Sequence, residues 1–217
     1  SVKEKALVTG GGGFLGKAVV KRLLAEGYEV VSFSRSRYES LERLGVQQIQ
    51  GDIADFEKVR KAVTGRDVVF HVAAKAGVWG DRHEFYSANV RGTDNVVRAC
   101  RQCRVPRFVH TSSPSVVFNG LDMEGADESL PYPERYDAPY PETKAQAEKI
   151  VLSASDDRLR TVILRPHLIW GPEDNHLVPG IIQRGHRLKK IGRTDDLVDT
   201  IYIDNATDAH VLAAEKL

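Results

Sequence analysis

Short apolar runs alternate with stretches of helical period along most of this chain. Residues 5–9, 28–33, 46–50, 67–72, 107–111 and 161–165 are runs of strand length rich in apolar residues, as expected of strands buried on both faces. Between them, Leu15, Val19 and Leu23 mark one face of a helix ending at Gly27, and Phe56, Val59 and Val63 mark another before Gly65. A third helical stretch covers 92–104. This alternation predicts a parallel sheet with helices on both faces, the α/β, doubly wound Rossmann class. The rhythm breaks after Gly171, where Pro172, Pro179, Gly180, Gly185 and Gly192 precede an apolar run at 200–203 and a last helix. The expected division is a Rossmann domain over 1–170 and the start of a smaller region over 171–217. No internal repeat or low-complexity segment is present. With Ser1 in place of an initiator Met and no closing element before Leu217, the chain reads as a fragment lacking its C-terminal remainder.

The first strand-to-helix junction carries Thr9-Gly10-Gly11-Gly12-Gly13-Phe14-Leu15-Gly16. Glycines there permit a tight turn and close backbone approach, and a helix N-terminus offers unpaired N–H groups to a pyrophosphate. A competing reading, Gly11-x-x-x-x-Gly16-Lys17 as a triphosphate loop, fails because Ala18 stands where a Ser or Thr should hold magnesium. Dinucleotide sites usually carry Asp or Glu after the second strand for the ribose 2'-hydroxyl. Here Phe33 is followed by Ser34-Arg35-Ser36-Arg37. A guanidinium pairs strongly with a phosphate dianion, so NADP(H) is favoured over NAD(H).

Tyr140 and Lys144 stand four apart, on one face of a helix. An ammonium beside a phenol is expected to depress its pKa below about 10, making it a proton donor near neutral pH. Taken alone, the spacing also arises by chance on helix surfaces. Pro141, which lacks an N–H, places Tyr140 at the start of that helix. Cys100 and Cys103 form a C-x-x-C, but they fall near the end of the helical stretch, where the dipole opposes a thiolate, and further zinc ligands are lacking. They read as structural, and no metal site is expected.

Thirty-one basic against thirty acidic residues, without blocks of one sign, provide no cationic face for nucleic acid. The 41% of hydrophobic residues suffices for a core. No apolar run approaches the roughly 18 residues needed to span a bilayer, and the N-terminal residues lack a signal-peptide pattern. The expectation is a cytoplasmic protein without a transmembrane segment.

With Thr9-Gly10-x-x-Gly13-Phe14-x-Gly16, Gly51-Asp52-Ile53, His71-x-Ala73-Ala74, Asn89-Val90-x-Gly92-Thr93, Thr111-Ser112-Ser113, Tyr140-x-x-x-Lys144 and Leu164-Arg165-Pro166, the chain resembles the extended short-chain dehydrogenase/reductases over essentially its whole length. Through Ala74-Lys75-Ala76-Gly77-Val78-Trp79-Gly80, Ser113-Pro114-Ser115-Val116 and Leu168-Ile169-Trp170-Gly171-Pro172 it is similar to the 3β-hydroxysteroid dehydrogenase group, most of all to bacterial 2-alkyl-3-oxoalkanoate reductases of olefin synthesis.

The resemblance implies that Ser113 and Tyr140 hydrogen-bond the substrate oxygen, that Lys144 binds the nicotinamide ribose and lowers the Tyr140 pKa, and that Asn89 supports a proton relay. Ser112 is an alternative to Ser113. The implied cofactor contacts are Gly10, Gly13, Phe14, Leu15 and Gly16 in the loop, Ser34 and Arg35 at the 2'-phosphate, Asp52 and Ile53 near adenine, Ala73, Ala74 and Lys75 along the cofactor, Tyr140 and Lys144, and Pro166 beside the nicotinamide. Two donors converging on one oxygen suit hydride addition to a ketone.

The expected activity is NADPH-dependent reduction of a 2-alkyl-3-oxoalkanoic acid to the 3-hydroxy acid. Oxidation or reduction at C3 of a sterol, including a sterol 4-carboxylate, is the alternative. The substrate is in either case a lipid-like ketone or alcohol, and the resemblance implies a homodimer as a possible assembly. Sugar dehydratases of the superfamily typically carry Thr-Asp-Glu where this chain has Ser113-Pro114-Ser115. Sugar-nucleotide epimerases keep the acid that Ser34 replaces. A catalytically silent NADPH sensor is a further reading, opposed by the joint presence of Ser113, Tyr140 and Lys144. Val78, Trp79 and Trp170 are candidates for an apolar substrate surface, and Lys75 or Arg82 for a carboxylate partner.

Overall fold

A computed structural model describes residues 3–77, 79–175, 177–187 and 197–217; Val78 and Gly192 lie outside them. In chain order the elements are β1 (Lys5–Thr9), α1 (Phe14–Ala25), β2 (Glu29–Ser34), α2 (Glu39–Arg43), β3 (Gln47–Gln50), α3 (Phe56–Val63), β4 (Val68–His71), α4 (Arg82–Phe85), a π-helical turn (Tyr86–Arg91) and α5 (Gly92–Gln102). There follow β5 (Arg107–Thr111), a 3₁₀ turn (Pro114–Val117), α6 (Pro139–Ala154), β6 (Arg160–Leu164), β7 (Leu168–Trp170), α7 (Leu177–Arg184), a 3₁₀ turn (Gly185–Arg187), β8 (Thr200–Tyr202) and α8 (Ile203–Lys216).

Six strands form one parallel sheet in the order β3-β2-β1-β4-β5-β6. Successive strand residues point to opposite faces, so the apolar runs feed two cores. Ala6, Val8, Phe70 and Val109 pack with α1 and α8 on one face. Leu7, Val31, Val69 and Phe108 pack with α3, α5 and the end of α6 on the other. The doubly wound architecture expected from the sequence is the one present. Strand order reverses beside β1, whose neighbours β2 and β4 are reached by connections running to opposite sides of the sheet. The crevice outside the carboxyl ends of the strands opens at that point.

Two features depart from the sequence pattern. Residues 168–170 pair in parallel with 200–202 as a separate two-stranded sheet; three partly exposed residues are too few to show a strand period. Gly171 follows with φ +150°, and a Cβ there would meet Ile203 Cγ2 at 2.5 Å. The last helix, expected within a separate region from 171 onward, instead completes the first core. Ile203, Ala206, Val211 and Ala214 are buried among residues of β1, β4, β5 and α1. Arg22 of α1 bonds Asp208 at 2.5 Å, and Arg107 of β5 donates to the Ala214 carbonyl at 3.2 Å. Val211→Ala is expected to lower the stability of the whole sheet domain by about 2 kcal/mol. Urea unfolding followed by circular dichroism should show that loss in a single transition; an unchanged midpoint would mean that α8 packs independently.

Candidate active site

The glycine loop is built to bring backbone close to backbone. Gly10 has φ +70°, and a Cβ on it would press on the Ala73 backbone at 3.0 Å; a Cβ on Gly16 would lie 2.0 Å from the Gly10 carbonyl oxygen. The Gly13 N–H donates to the Gly10 carbonyl at 3.1 Å, and Gly13 then caps α1 without any side-chain hydrogen bond. The helix N-terminus is therefore left to a ligand, as an anion site requires. Lys17, the lysine of the rejected triphosphate reading, pairs with Glu173 at 2.9 Å.

Around this loop lies a groove of about 830 Å³, whose walls include Gly10, Gly13, Phe14, Leu15, Gly16, Ser34, Arg35, Asp52, Ile53, Ala73, Ala74 and Lys75. Twelve residues expected from the sequence to touch a cofactor thus share one cavity at the carboxyl ends of β1, β2, β3 and β4. Ser34 Oγ is buried with no hydrogen-bond partner among the described residues. Arg35 is exposed at the rim, without an ion pair among the described residues. Asp52 accepts from the Ala54 N–H at 2.8 Å and so shapes its own turn. Ile53 is both wall and core: it fills the space a Gly92 side chain would need. Tyr38 also lines the groove, its ring over Gly12, where a Cβ would come within 2.1 Å of it. No motif in the sequence pointed to Tyr38.

A chain of directed hydrogen bonds holds the groove to the rest of the site. Thr93 Oγ1 donates to the Asn89 carbonyl at 2.7 Å, so its oxygen must accept from His71 Nε2–H at 2.9 Å. His71 Nδ1 is then the acceptor, and Thr9 Oγ1–H donates to it at 2.8 Å. Thr9 Oγ1 in turn accepts the N–H groups of Val72 and Ala73, each at 3.1 Å. Burial, then the nearby Lys144 charge, lowers the His71 pKa to about 3, consistent with a neutral ring. The last residue of β1, the end of β4 with the two residues after it, and the π-helical turn are thereby locked together. The sequence offered Thr9, His71 and Thr93 within motifs but without a role, and gave no sign that they bond to one another.

Asn89 is buried in that turn. Its Oδ1 accepts from the Lys75 N–H at 2.8 Å, while Nδ2 donates to the Lys75 carbonyl and to Thr143 Oγ1, both at 3.0 Å. Both amide protons are used in the scaffold, so the side chain acts as a clamp between the β4 loop and α6. Lys75 Nζ pairs with Glu84 at 2.5 Å, and Arg82 pairs with Glu142 at 2.5 Å. Both candidate partners for a substrate carboxylate are therefore engaged by carboxylates of the chain itself. Trp79 is 89% exposed, and Trp170 is partly exposed with its ring edge-on to Tyr202 at 5.1 Å.

α6 begins at Pro139, with Ala138 as its cap, so Tyr140 sits within the first turn between two prolines that owe the helix no N–H. Ser113 caps the 3₁₀ turn, accepting from the Ser115 N–H at 3.2 Å and meeting Ser115 Oγ at 2.9 Å. Its hydroxyl also lies near enough to the Tyr140 phenol to oppose the rise in its pKa, though short of a formed hydrogen bond. Ser112, the alternative, is buried beside Glu148, so Ser113 is the serine that joins Tyr140. Lys144 is buried, and Nζ donates to the Thr111 carbonyl at 2.6 Å. Pro166 is half-buried between β6 and β7, outside the groove wall.

The expected effect of Lys144 on the phenol is not found. Burial pushes Tyr140 above the usual phenol range, and the opposing influence is the Ser113 hydroxyl. The Lys144 ammonium is directed to the Thr111 carbonyl, and burial lowers its own pKa to about 8, with Glu148 acting the other way.

Residues 7–217 match the 3-beta hydroxysteroid dehydrogenase/isomerase family. The chain belongs to that family. It is 53% identical over 221 residues to a 2-alkyl-3-oxoalkanoate reductase of Shewanella oneidensis, covering 98% of this chain and 57% of that protein. It is 37% identical to the mouse sterol-4-alpha-carboxylate 3-dehydrogenase, decarboxylating, covering 100% of this chain and 61% of that one. Against the structure of MoeE5 in complex with UDP-glucose and NAD, it shows 29% identity and a TM-score of 0.82, with 97% of this chain and 71% of that chain covered. This chain thus spans less than two thirds of the curated relatives named.

In this family member the buried lysine has a measurable cost. The charged form of Lys144 is disfavoured in the native state, so between about pH 8 and about pH 10.4 the unfolded chain binds more protons. Stability conferred by neutralising Lys144 therefore grows as pH rises through that window, by up to about 3 kcal/mol. Relative to Lys144→Met, the parent should be less stable at pH 7 and should recover across the window. Parallel urea titrations of both proteins test this; a constant difference would refute the assignment.

Proposed function

We propose that this chain carries the cofactor-binding and proton-donating part of an NADPH-dependent reductase that converts a 2-alkyl-3-oxoalkanoic acid to the 3-hydroxy acid. The observation that carries the reading is the nearness of the Ser113 hydroxyl to the Tyr140 phenol at the carboxyl end of β5, on the same sheet edge as the glycine-walled groove. Relatives at 53% and 51% identity carry the name 2-alkyl-3-oxoalkanoate reductase.

The groove fits a dinucleotide on three counts: its volume, the α1 N-terminus without a side-chain cap, and the orphaned Ser34 Oγ beside Arg35. Gly10, Gly13 and Gly16 would admit the pyrophosphate, Asp52 and Ile53 would face the adenine, and Ser34 with Arg35 would hold a 2'-phosphate. Bound NADPH supplies the hydride. The chain supplies the proton: Ser113 and Tyr140 donate hydrogen bonds to the substrate carbonyl oxygen, and the phenol gives up its proton as negative charge builds there. A raised phenol pKa keeps Tyr140 protonated and ready to donate. The Ser113 hydroxyl, the group that opposes the rise in the Tyr140 pKa, favours the phenolate left behind.

The sterol reading shares this chemistry and is supported by the relative at 37% identity. Sugar-nucleotide epimerisation is disfavoured by Ser34 and Arg35 in place of an acid.

Tyr140→Phe is expected to lower ketone reduction by about 10²–10⁴-fold while leaving the NADPH Kd, read by fluorescence titration, essentially unchanged. Turnover of sterol 3-ketones alone, in parallel assays of NADPH consumption, would overturn the choice of substrate, and no turnover with any ketone would favour a silent sensor. Arg35→Gln should weaken NADPH by about 10–100-fold, the worth of a charge-assisted bond, with NADH binding unaffected. Equal weakening of both nucleotides would remove Arg35 from the 2'-phosphate.

A further inference from the structure

Glu148 lies on α6 one helical turn beyond Lys144, and none of its surface is exposed. An isolated carboxylate in that position would be strongly disfavoured. Arg165 answers it with a forked bond, Nε to Oε1 at 2.9 Å and Nη2 to Oε2 at 2.7 Å, and the Tyr132 phenol donates to Oε2 at 2.6 Å. Ser112 Oγ is buried alongside, near enough to favour the carboxylate charge though short of a formed hydrogen bond.

Each of these partners adjoins a different part of the candidate active site. Ser112 immediately precedes Ser113, and Arg165 immediately precedes Pro166. Tyr132 belongs to the loop leading into α6, which is also held by the Tyr136 phenol donating to the Val116 carbonyl at 2.7 Å. One carboxylate therefore gathers the ends of β5 and β6, the loop before α6, and the helix that bears Tyr140 and Lys144. Burial pushes Glu148 up, but the bonds from Arg165 and Tyr132 and the nearby Ser112 hydroxyl outweigh it and hold the group below the usual carboxylate range.

We propose that Glu148 is a positioning residue of this site: it serves as the buried counter-charge of Lys144 and, through Arg165, Tyr132 and Ser112, sets the backbone that presents Ser113 and Pro166. The inference rests on the reading of Ser113, Tyr140 and Lys144 as the reacting group. Titratable groups facing Lys144 include Tyr140 and Glu148 on α6, His71 on β4 and His110 on β5. Both imidazoles are lowered by burial and then by Lys144 itself, which keeps them neutral. The Tyr140 phenol is raised and protonated. Glu148 is the ionised group that acts back on Lys144.

The test is the titration of Lys144 in the full 217-residue chain, labelled with [¹³Cε]lysine and followed by NMR, with its resonance assigned by disappearance in Lys144→Arg. The parent midpoint is expected near pH 8. Glu148→Gln should move it down by about 1 pH unit, because an opposing anion is lost. General loosening of the site would admit water and move it up, so a midpoint that stays or rises in Glu148→Gln overturns the proposal. Should that variant not fold, Arg165→Gln and Arg165→Lys decide. Loss of the guanidinium leaves Glu148 uncompensated and should raise the midpoint, whereas Arg165→Lys should keep it near the parent; any other pattern is a refutation. The titration needs neither NADPH nor ketone, so a failed reductase assay and a failed Lys144 titration remain distinguishable.

Discussion

A lysine ammonium held out of water at the end of a parallel sheet is the constraint around which this site is arranged. Lys144 Nζ finds the Thr111 carbonyl at 2.6 Å, a main-chain acceptor at the end of β5. Thr111 is itself fixed from the opposite face of the sheet. His210 of α8 donates from Nδ1 to the Ala206 carbonyl at 2.6 Å, so its Nε2 accepts the Thr111 hydroxyl at 2.8 Å. The helix that closes one core thereby positions the acceptor for a charge lying beneath the other. Burying that charge opposes folding, and the network around Glu148 is the chain's means of offsetting it.

Neutral polar groups do comparable work at the other end of the site. Between Thr9 and Asn89 every proton has one direction available to it, because Thr93 spends its hydroxyl on a carbonyl and so forces the His71 tautomer. A charged imidazole would break that sequence, and burial next to Lys144 prevents one from forming. The result is a rigid frame in which the glycine loop, the backbone at Ala73 and the π-helical turn cannot shift separately. A preorganised edge of this sort would suit the proposed reduction, in which a reduced cofactor and a carbonyl must be held against one another.

The parallel sheet was readable because each central strand buries both faces, which leaves a continuous apolar run; β1 at Lys5–Thr9 and β5 at Arg107–Thr111 coincide with runs visible in the sequence. The loop from Gly10 to Gly16 was readable for a different reason: close backbone approach excludes every side chain, so the requirement is written as a residue type. β7 was not readable, since its three residues are partly exposed and carry no period. The place of α8 in the first core was equally hidden. Its apolar face has the same spacing as that of any surface helix, and only long-range packing assigns it a partner.

By itself the amino-acid sequence determined the fold class, the phosphate-cradling turn and the spacing that puts Tyr140 and Lys144 on one helical face, because these follow from local sterics and periodicity. Tertiary structure alone decided what those groups experience. Tyr140 lies near Ser113 and is raised by burial, Lys144 turns to Thr111, and Asn89 spends both amide protons on scaffold. Desolvation and hydrogen-bond direction depend on neighbours brought from distant parts of the chain, and no spacing along one segment encodes them.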